Sequence, residues 1–175
     1  MVLSYMNLGG VPTKEEVLAI ALFKLAPEKD DVVLDIGCGT GTVSLAVSSA
    51  AKKVVAIDRR KKAIDVASEN IKGHYNIELL EGEAKELIPL ISSFNKAFVG
   101  GTGDLEEILN LIKDCDGIVL NAARIEVASM AIEVMKNLEI FKEVLVINVA
   151  KSYDLAGGVA FKSLNPVFMV VGGCL

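Results

Sequence analysis

Short unbroken apolar runs alternate along this chain with segments whose apolar residues fall at helical spacing. Thr13-Lys14-Glu15-Glu16 matches a capping box, in which the Thr13 hydroxyl and the Glu16 carboxyl satisfy free N–H groups at a helix start. Val17, Leu18, Ala21, Leu22 and Leu25 then share one helical face, and Pro27 helps to end the helix. Val32 to Ile36 reads as a strand, Val43 to Ala50 as a helix and Lys53 to Ile57 as a second strand. Arg60 to about Ile71 is helical, with Ala63, Ile64, Ala67 and Ile71 on one side. Ile77 to Leu80 is a third strand, and Ala84 to Ile91 a short helix interrupted near Pro89. Lys96 to Val99, a helix over Leu105 to Ile112, Gly117 to Leu120 and an amphipathic helix over Ile125 to Leu138 continue the alternation.

The pattern then changes. Phe141 to Val149 and Pro166 to Val171 are both strand-like and have no helix between them. Their connector, Ala150 to Asn165, is rich in glycine and small residues. Alternating strand–helix units closed by a strand pair predict a single α/β domain. Its sheet is mostly parallel and seven-stranded, with helices on both faces and one antiparallel strand near the C-terminus. Residues 1–12 have no strong period and read as a flexible lead-in; residues 13–175 read as the domain.

Composition fits this reading. The chain has 175 residues, enough for one substantial core, and is 52% hydrophobic but only 5% aromatic. That core is therefore aliphatic, as a sheet covered on both faces requires. No apolar run approaches a membrane span and the N-terminus lacks a signal-peptide pattern, so the expected location is cytoplasmic, away from membranes. A net charge of −5 weighs against a general nucleic-acid binder. Cys38, Cys115 and Cys174 are too widely spaced for a disulfide framework or metal cluster, and the lone His74 reads as a solvated loop residue. No metal site is expected.

The candidate chemistry lies in VVLDIGCGTG, residues 32–41, and VVAID, residues 54–58. A strand ends in a turn with Gly37, Gly39 and Gly41 and a helix follows; the next strand ends in Asp58. Glycines let a ligand approach the backbone, helix-start N–H groups can meet a carboxylate, and Asp58 can accept from two ribose hydroxyls. The plain alternatives are an ordinary tight turn and a solvated strand-end acid. Cys38 reads as a small residue filling the turn.

The glycine spacing is GxGxG, not the GxGxxG usual for nicotinamide cofactors, and Asp35 precedes it. With Asp58, Glu83-Ala84 and the terminal strand pair, the chain resembles the Rossmann-like class I methyltransferases that use S-adenosylmethionine. That resemblance implies an adenine site at Glu83-Ala84. The segment after the fourth strand reads VGGTGD, not the Asn-Pro-Pro-aromatic motif of amino-group methylation. Gly100, Gly101 and Gly103 there leave space for a bulky planar substrate, or simply form another turn.

VPTKEEV, VVLDIGCGTGTVSL, VVAIDRR, LLEGEA, AFVGGTGDLEEIL and SLNPVFMV run in order over nearly the whole chain. They resemble the decarboxylating cobalt-precorrin C15-methyltransferase family of anaerobic cobalamin synthesis. The resemblance implies methylation of ring carbon 15 of cobalt-precorrin-6B, loss of carbon dioxide from the acetate on carbon 12, and a homotetramer. Its implied cofactor contacts are Thr13, the turn Gly37, Cys38, Gly39, Thr40 and Gly41, and Asp58, Glu83 and Ala84. Where the family tends to carry an Arg-rich loop after strand six, this chain reads AKSYDLAGGVAFKSLNP. Lys151, Lys162 and Arg124 are thus the candidates for holding substrate carboxylates, and Asn121 for the polar wall near the reacting centre. No acid–base residue is assigned. The rival readings are an RNA methyltransferase, a nicotinamide-dependent oxidoreductase and a non-catalytic scaffold.

Overall fold

The computed structural model describes residues 13–101 and 103–174. The lead-in expected over residues 1–12, Thr102 and Leu175 lie outside them.

Thirteen of the fifteen described helices and strands that follow were set by the alternation of runs and helical spacings, or by its last two strands. Helix α1 spans Glu15–Leu25, β1 Val32–Ile36, α2 Thr42–Ser48, β2 Lys53–Asp58, α3 Lys61–Asn70, β3 Ile77–Glu81 and α4 Ala84–Leu87. A 3-10 turn over Ile88–Leu90 follows α4, because Pro89 cannot donate to a continuing helix. Then come β4 Lys96–Val99, α5 Leu105–Leu111, β5 Gly117–Ala122, α6 Ile125–Asn137 and β6 Phe141–Ile147. The remaining strands are β7 Ala150–Leu155, β8 Gly158–Ser163 and β9 Val167–Gly172.

The seven-stranded sheet has the order β3-β2-β1-β4-β5-β9-β6. Strands β1 to β5 pair in parallel, and β9 inserts antiparallel between β5 and β6. Alternate residues of each strand feed two cores. Leu34, Ile36, Ile118 and Leu120 pack with Leu105, Leu109, Ala128 and Met135 of α5 and α6. Val33, Phe98, Val119 and Met169 pack with Val17, Ala21, Val43 and Val47 of α1 and α2. Because the strand order reverses on either side of β1 and β4, their carboxyl ends open a crevice.

Two expectations need correction. Thr13 does not cap α1: Lys14 holds the N-cap position and no side chain bonds there. Glu16 instead reaches Lys151 Nζ at 2.8 Å, so its carboxylate is drawn away from the capping box. The connector after β6 is also not a plain loop. It folds into the β7–β8 hairpin, paired from Ala150 opposite Ser163 to Leu155 opposite Gly158. Its turn is set by Ala156 and Gly157, both at positive φ.

Candidate active site

Two cavities meet at the crevice. The first, about 330 Å³, is lined by Gly37, Asp58, Glu83, Ala84, Gly100 and Gly101, with Arg59, Arg60 and Lys85 at its rim. The second, about 380 Å³, is lined by Thr13, Lys14, Phe98, Gly100, Asn121 and Arg124, with Asn165 and Pro166. Gly100 is a wall of both.

Glycine is required at the base of the first cavity by contact as well as by conformation. Gly37, Gly39 and Gly41 all have positive φ. A Cβ on Gly37 would lie 2.4 Å from the Gly101 backbone nitrogen, so the turns after β1 and β4 touch main chain to main chain. Each turn is tied down: Gly37 and Cys38 donate to the Ile57 carbonyl, and Gly100 and Gly101 donate to the Ile36 carbonyl. This gives Gly101 a packing role, while Gly100 is the glycine that faces both spaces. A Cβ on Gly41 would press on Ile71 and Ala67, so that glycine lets α3 approach the turn.

Cys38, Gly39, Thr40 and Gly41 shape the turn rather than line the cavity. Cys38 is buried, which pushes its thiol far above the ordinary range and leaves it no nucleophile. Thr40 shares a hydrogen bond with Thr42, and its carbonyl accepts from Asn70.

Asp58 ends β2 with its carboxylate at the cavity wall. Oδ1 accepts from the Arg60 backbone N–H and from Arg60 Nε, and Oδ2 from Gly39 N–H and Arg60 Nη2, all at 3.0 Å. Burial pushes this carboxyl up, but the Arg60 and Gly39 hydrogen bonds outweigh it and hold it below the usual range. Asp35 differs. Its Oδ2 accepts from Ser44 Oγ, while Oδ1 is buried without a partner. Complete burial raises its carboxyl to about 6 against the Ser44 bond.

Glu83 is the N-cap of α4 and pairs loosely with Arg59 at 3.6 Å across the cavity rim. Lys85 bridges to Asp104 and Glu107, each at 3.3 Å. An adenosine-bearing cofactor fits these residues: a buried carboxylate faces the cavity, glycines form a cradle that a Cβ would fill, and Glu83-Ala84 stand opposite Asp58.

In the second cavity Asn121 sits at the carboxyl end of β5, on the α1 side of the sheet with Val119. Both polar atoms of its amide are buried without a partner. Thr13 lines this cavity and not the first. Arg124 joins Asn121 there, but Lys151 and Lys162 face each other across the hairpin and line neither cavity. Lys14 also lines this cavity, and a helix-start lysine has no motif of its own to mark such a place in the sequence.

A family model described as a precorrin methyltransferase domain matches residues 5–171. The chain belongs to the precorrin methyltransferase family. It is 45% identical over 160 residues to an Archaeoglobus fulgidus protein named probable cobalt-precorrin-6B C(15)-methyltransferase (decarboxylating), covering 91% of this chain and 96% of that one. A Methanosarcina mazei protein of the same name is 41% identical, covering 95% and 96%. The crystal structure of a Methanobacterium thermoautotrophicum protein described as precorrin 8W decarboxylase superposes with a TM-score of 0.92 at 33% identity, covering 97% of each chain. Membership of this family removes the nicotinamide-dependent reading.

Proposed function

We propose that this chain transfers a methyl group from S-adenosylmethionine to carbon 15 of cobalt-precorrin-6B and releases carbon dioxide from the acetate on carbon 12, giving cobalt-precorrin-7. The observation that carries the reading is the pair of cavities sharing Gly100. One has the carboxylate and glycine cradle that suit an adenosyl group. The other is roomy, largely apolar and edged by cations, which suits a flat macrocycle with peripheral carboxylates.

When bound, S-adenosylmethionine supplies an activated methyl group on a sulfonium. The chain's own contribution is alignment, a proximity effect. Asp58 and Glu83-Ala84 hold the nucleoside end, and the turn Gly37 to Gly41 sets how deep it sits. Gly100 has no side chain to block the line between the two cavities. Phe98 and Val127 exclude water beside Asn121 and present a flat apolar wall to the ring. The ring's conjugation takes up the electron pair as carbon dioxide leaves; the acetate's remaining carbon takes a proton from solvent and the methylated ring gives one up to it, and no acid–base residue of the chain is assigned.

The reading extends to a homotetramer working in the cytoplasm. It is supported by an apolar surface with Val144 and Val146 on the edge strand β6 and Tyr153, Leu155, Val159 and Phe161 on the hairpin, all exposed in the single chain. Such edges and patches are usually covered.

Incubation with S-adenosylmethionine and cobalt-precorrin-6B, followed by mass spectrometry, tests the reaction. A product gaining one methyl and losing one carbon dioxide is expected. Methyl transfer to tRNA with none to the corrinoid would favour the RNA reading, and cofactor binding without any transfer would favour a scaffold.

A further inference from the structure

The second cavity is entered by the N-termini of two helices. Helix α1 begins after Lys14 and α6 after Arg124, and neither N-cap residue caps its helix with a side-chain hydrogen bond. Both residues line the cavity. The positive end of a helix favours an anion, and each of these ends is preceded by a cation. Among the described residues no ion pair engages Lys14 or Arg124, whereas Lys151, Lys85 and Lys96 are all paired. The acids of the two first turns do not fill the space. Glu16 gives an oxygen to Lys151, and Glu15 and Glu126 are exposed and do not line the cavity.

Asn121 supplies a separate indication of a ligand. It lies in the same lining, and its amide nitrogen and oxygen are both buried and unpaired. A buried amide left in this state is costly unless something binds to it.

We propose that Lys14 and Arg124, acting with the N-termini of α1 and α6, form a carboxylate clamp across the second cavity, with Asn121 donating to the same ligand from its wall. The ligand class is a polycarboxylate with an apolar body: Phe98, Val17 and Val127 line the space between the charged ends. This inference rests on the corrinoid reading above and assigns two of the substrate's peripheral acids to named partners. It also moves the anchoring role away from Lys151, which holds the hairpin to α1.

The probe is cobyrinic acid, a corrinoid with free peripheral carboxyls, beside its heptamethyl ester, which keeps the ring and lacks the charges. Binding is read by equilibrium dialysis against the corrinoid's absorbance, with S-adenosylhomocysteine present. The wild-type chain is expected to bind the acid at least about tenfold more tightly than the ester, and to lose that preference as salt rises. Lys14→Gln and Arg124→Gln should each weaken the acid about five- to tenfold and leave the ester unchanged. Lys151→Gln should change neither. Unaltered S-adenosylhomocysteine binding in each variant verifies an intact fold. Acid binding that survives both Lys14→Gln and Arg124→Gln would overturn the clamp while leaving the corrinoid reading in place. So would an equal loss in Lys151→Gln. Failure of the wild-type chain to bind either corrinoid would overturn both.

Discussion

Arg60 holds Asp58 in a two-pronged grip, Nε to Oδ1 and Nη2 to Oδ2, each at 3.0 Å. Backbone N–H groups of Arg60 and Gly39 take the remaining places on the same carboxylate. A carboxylate offers about four acceptor positions, so all are engaged before any ribose arrives. For Asp58 to take the ribose hydroxyls as proposed, the guanidinium must release it. Arg60 is 59% exposed, which makes its pairing weak, about 1 kcal/mol. Arg60→Ala should therefore bind S-adenosylhomocysteine up to about fivefold more tightly by calorimetry. Asp58→Ala should instead lose about 1.5–3 kcal/mol, the range for hydrogen bonds to a charged group. Weaker binding in Arg60→Ala would mean that the arginine supports the cofactor rather than competing with it.

Gly37 and Gly101 make opposite demands on substitution. A Cβ at Gly37 meets Gly101 main chain at 2.4 Å and sits at φ +78°. A Cβ at Gly101 meets Gly37 Cα at 3.4 Å, an ordinary contact, and Gly101 has no positive φ. Gly37→Ala should cost roughly 2–4 kcal/mol in urea unfolding, and Gly101→Ala less than about 1 kcal/mol. Equal losses would show that the two turns do not meet as described.

Asp35 gives the ligand-free protein an unusual pH response. Its folded carboxyl is raised to about 6 from an ordinary 3.8. The native state thus holds more protons than the unfolded chain between about pH 4 and 6, and stability falls as pH rises through that window. The shift of about two units corresponds to roughly 3 kcal/mol. Asp35→Asn removes this titration, so the stability difference between variant and wild type should move toward the variant from pH 4 to 7. A difference that stays constant in denaturant titrations would show that Asp35 is not held in its acid form.

The hairpin offers a test of assembly. Val159 and Phe161 are exposed on β8, at 70% and 69%. If the chain assembles as the proposed homotetramer, Val159→Asp with Phe161→Asp should lower its mass in light scattering to a smaller species, without loss of secondary structure. An unchanged tetramer would place the subunit contacts elsewhere.

Run-and-period patterning determined most of the sheet and helices, since burying a strand on both faces demands a continuous apolar run and burying a helix demands one stripe. The glycine turn, Asp58 and Glu83-Ala84 were legible for a related reason: each is a local device whose spacing along the chain is its geometry. The β7–β8 hairpin was not legible. Its residues are exposed almost throughout, so no core imposed an alternation to read. Lys14 was hidden similarly, because its proposed role depends on Arg124, which lies 110 positions further along the chain and shares with it only the lining of one cavity. The sequence by itself determined most of the segments that fold and where the glycine turn lies. Only the tertiary structure decided that Gly37 touches Gly101, that Arg60 closes on Asp58, and that two helix starts face Asn121, because contacts between distant segments leave no periodic trace along the chain.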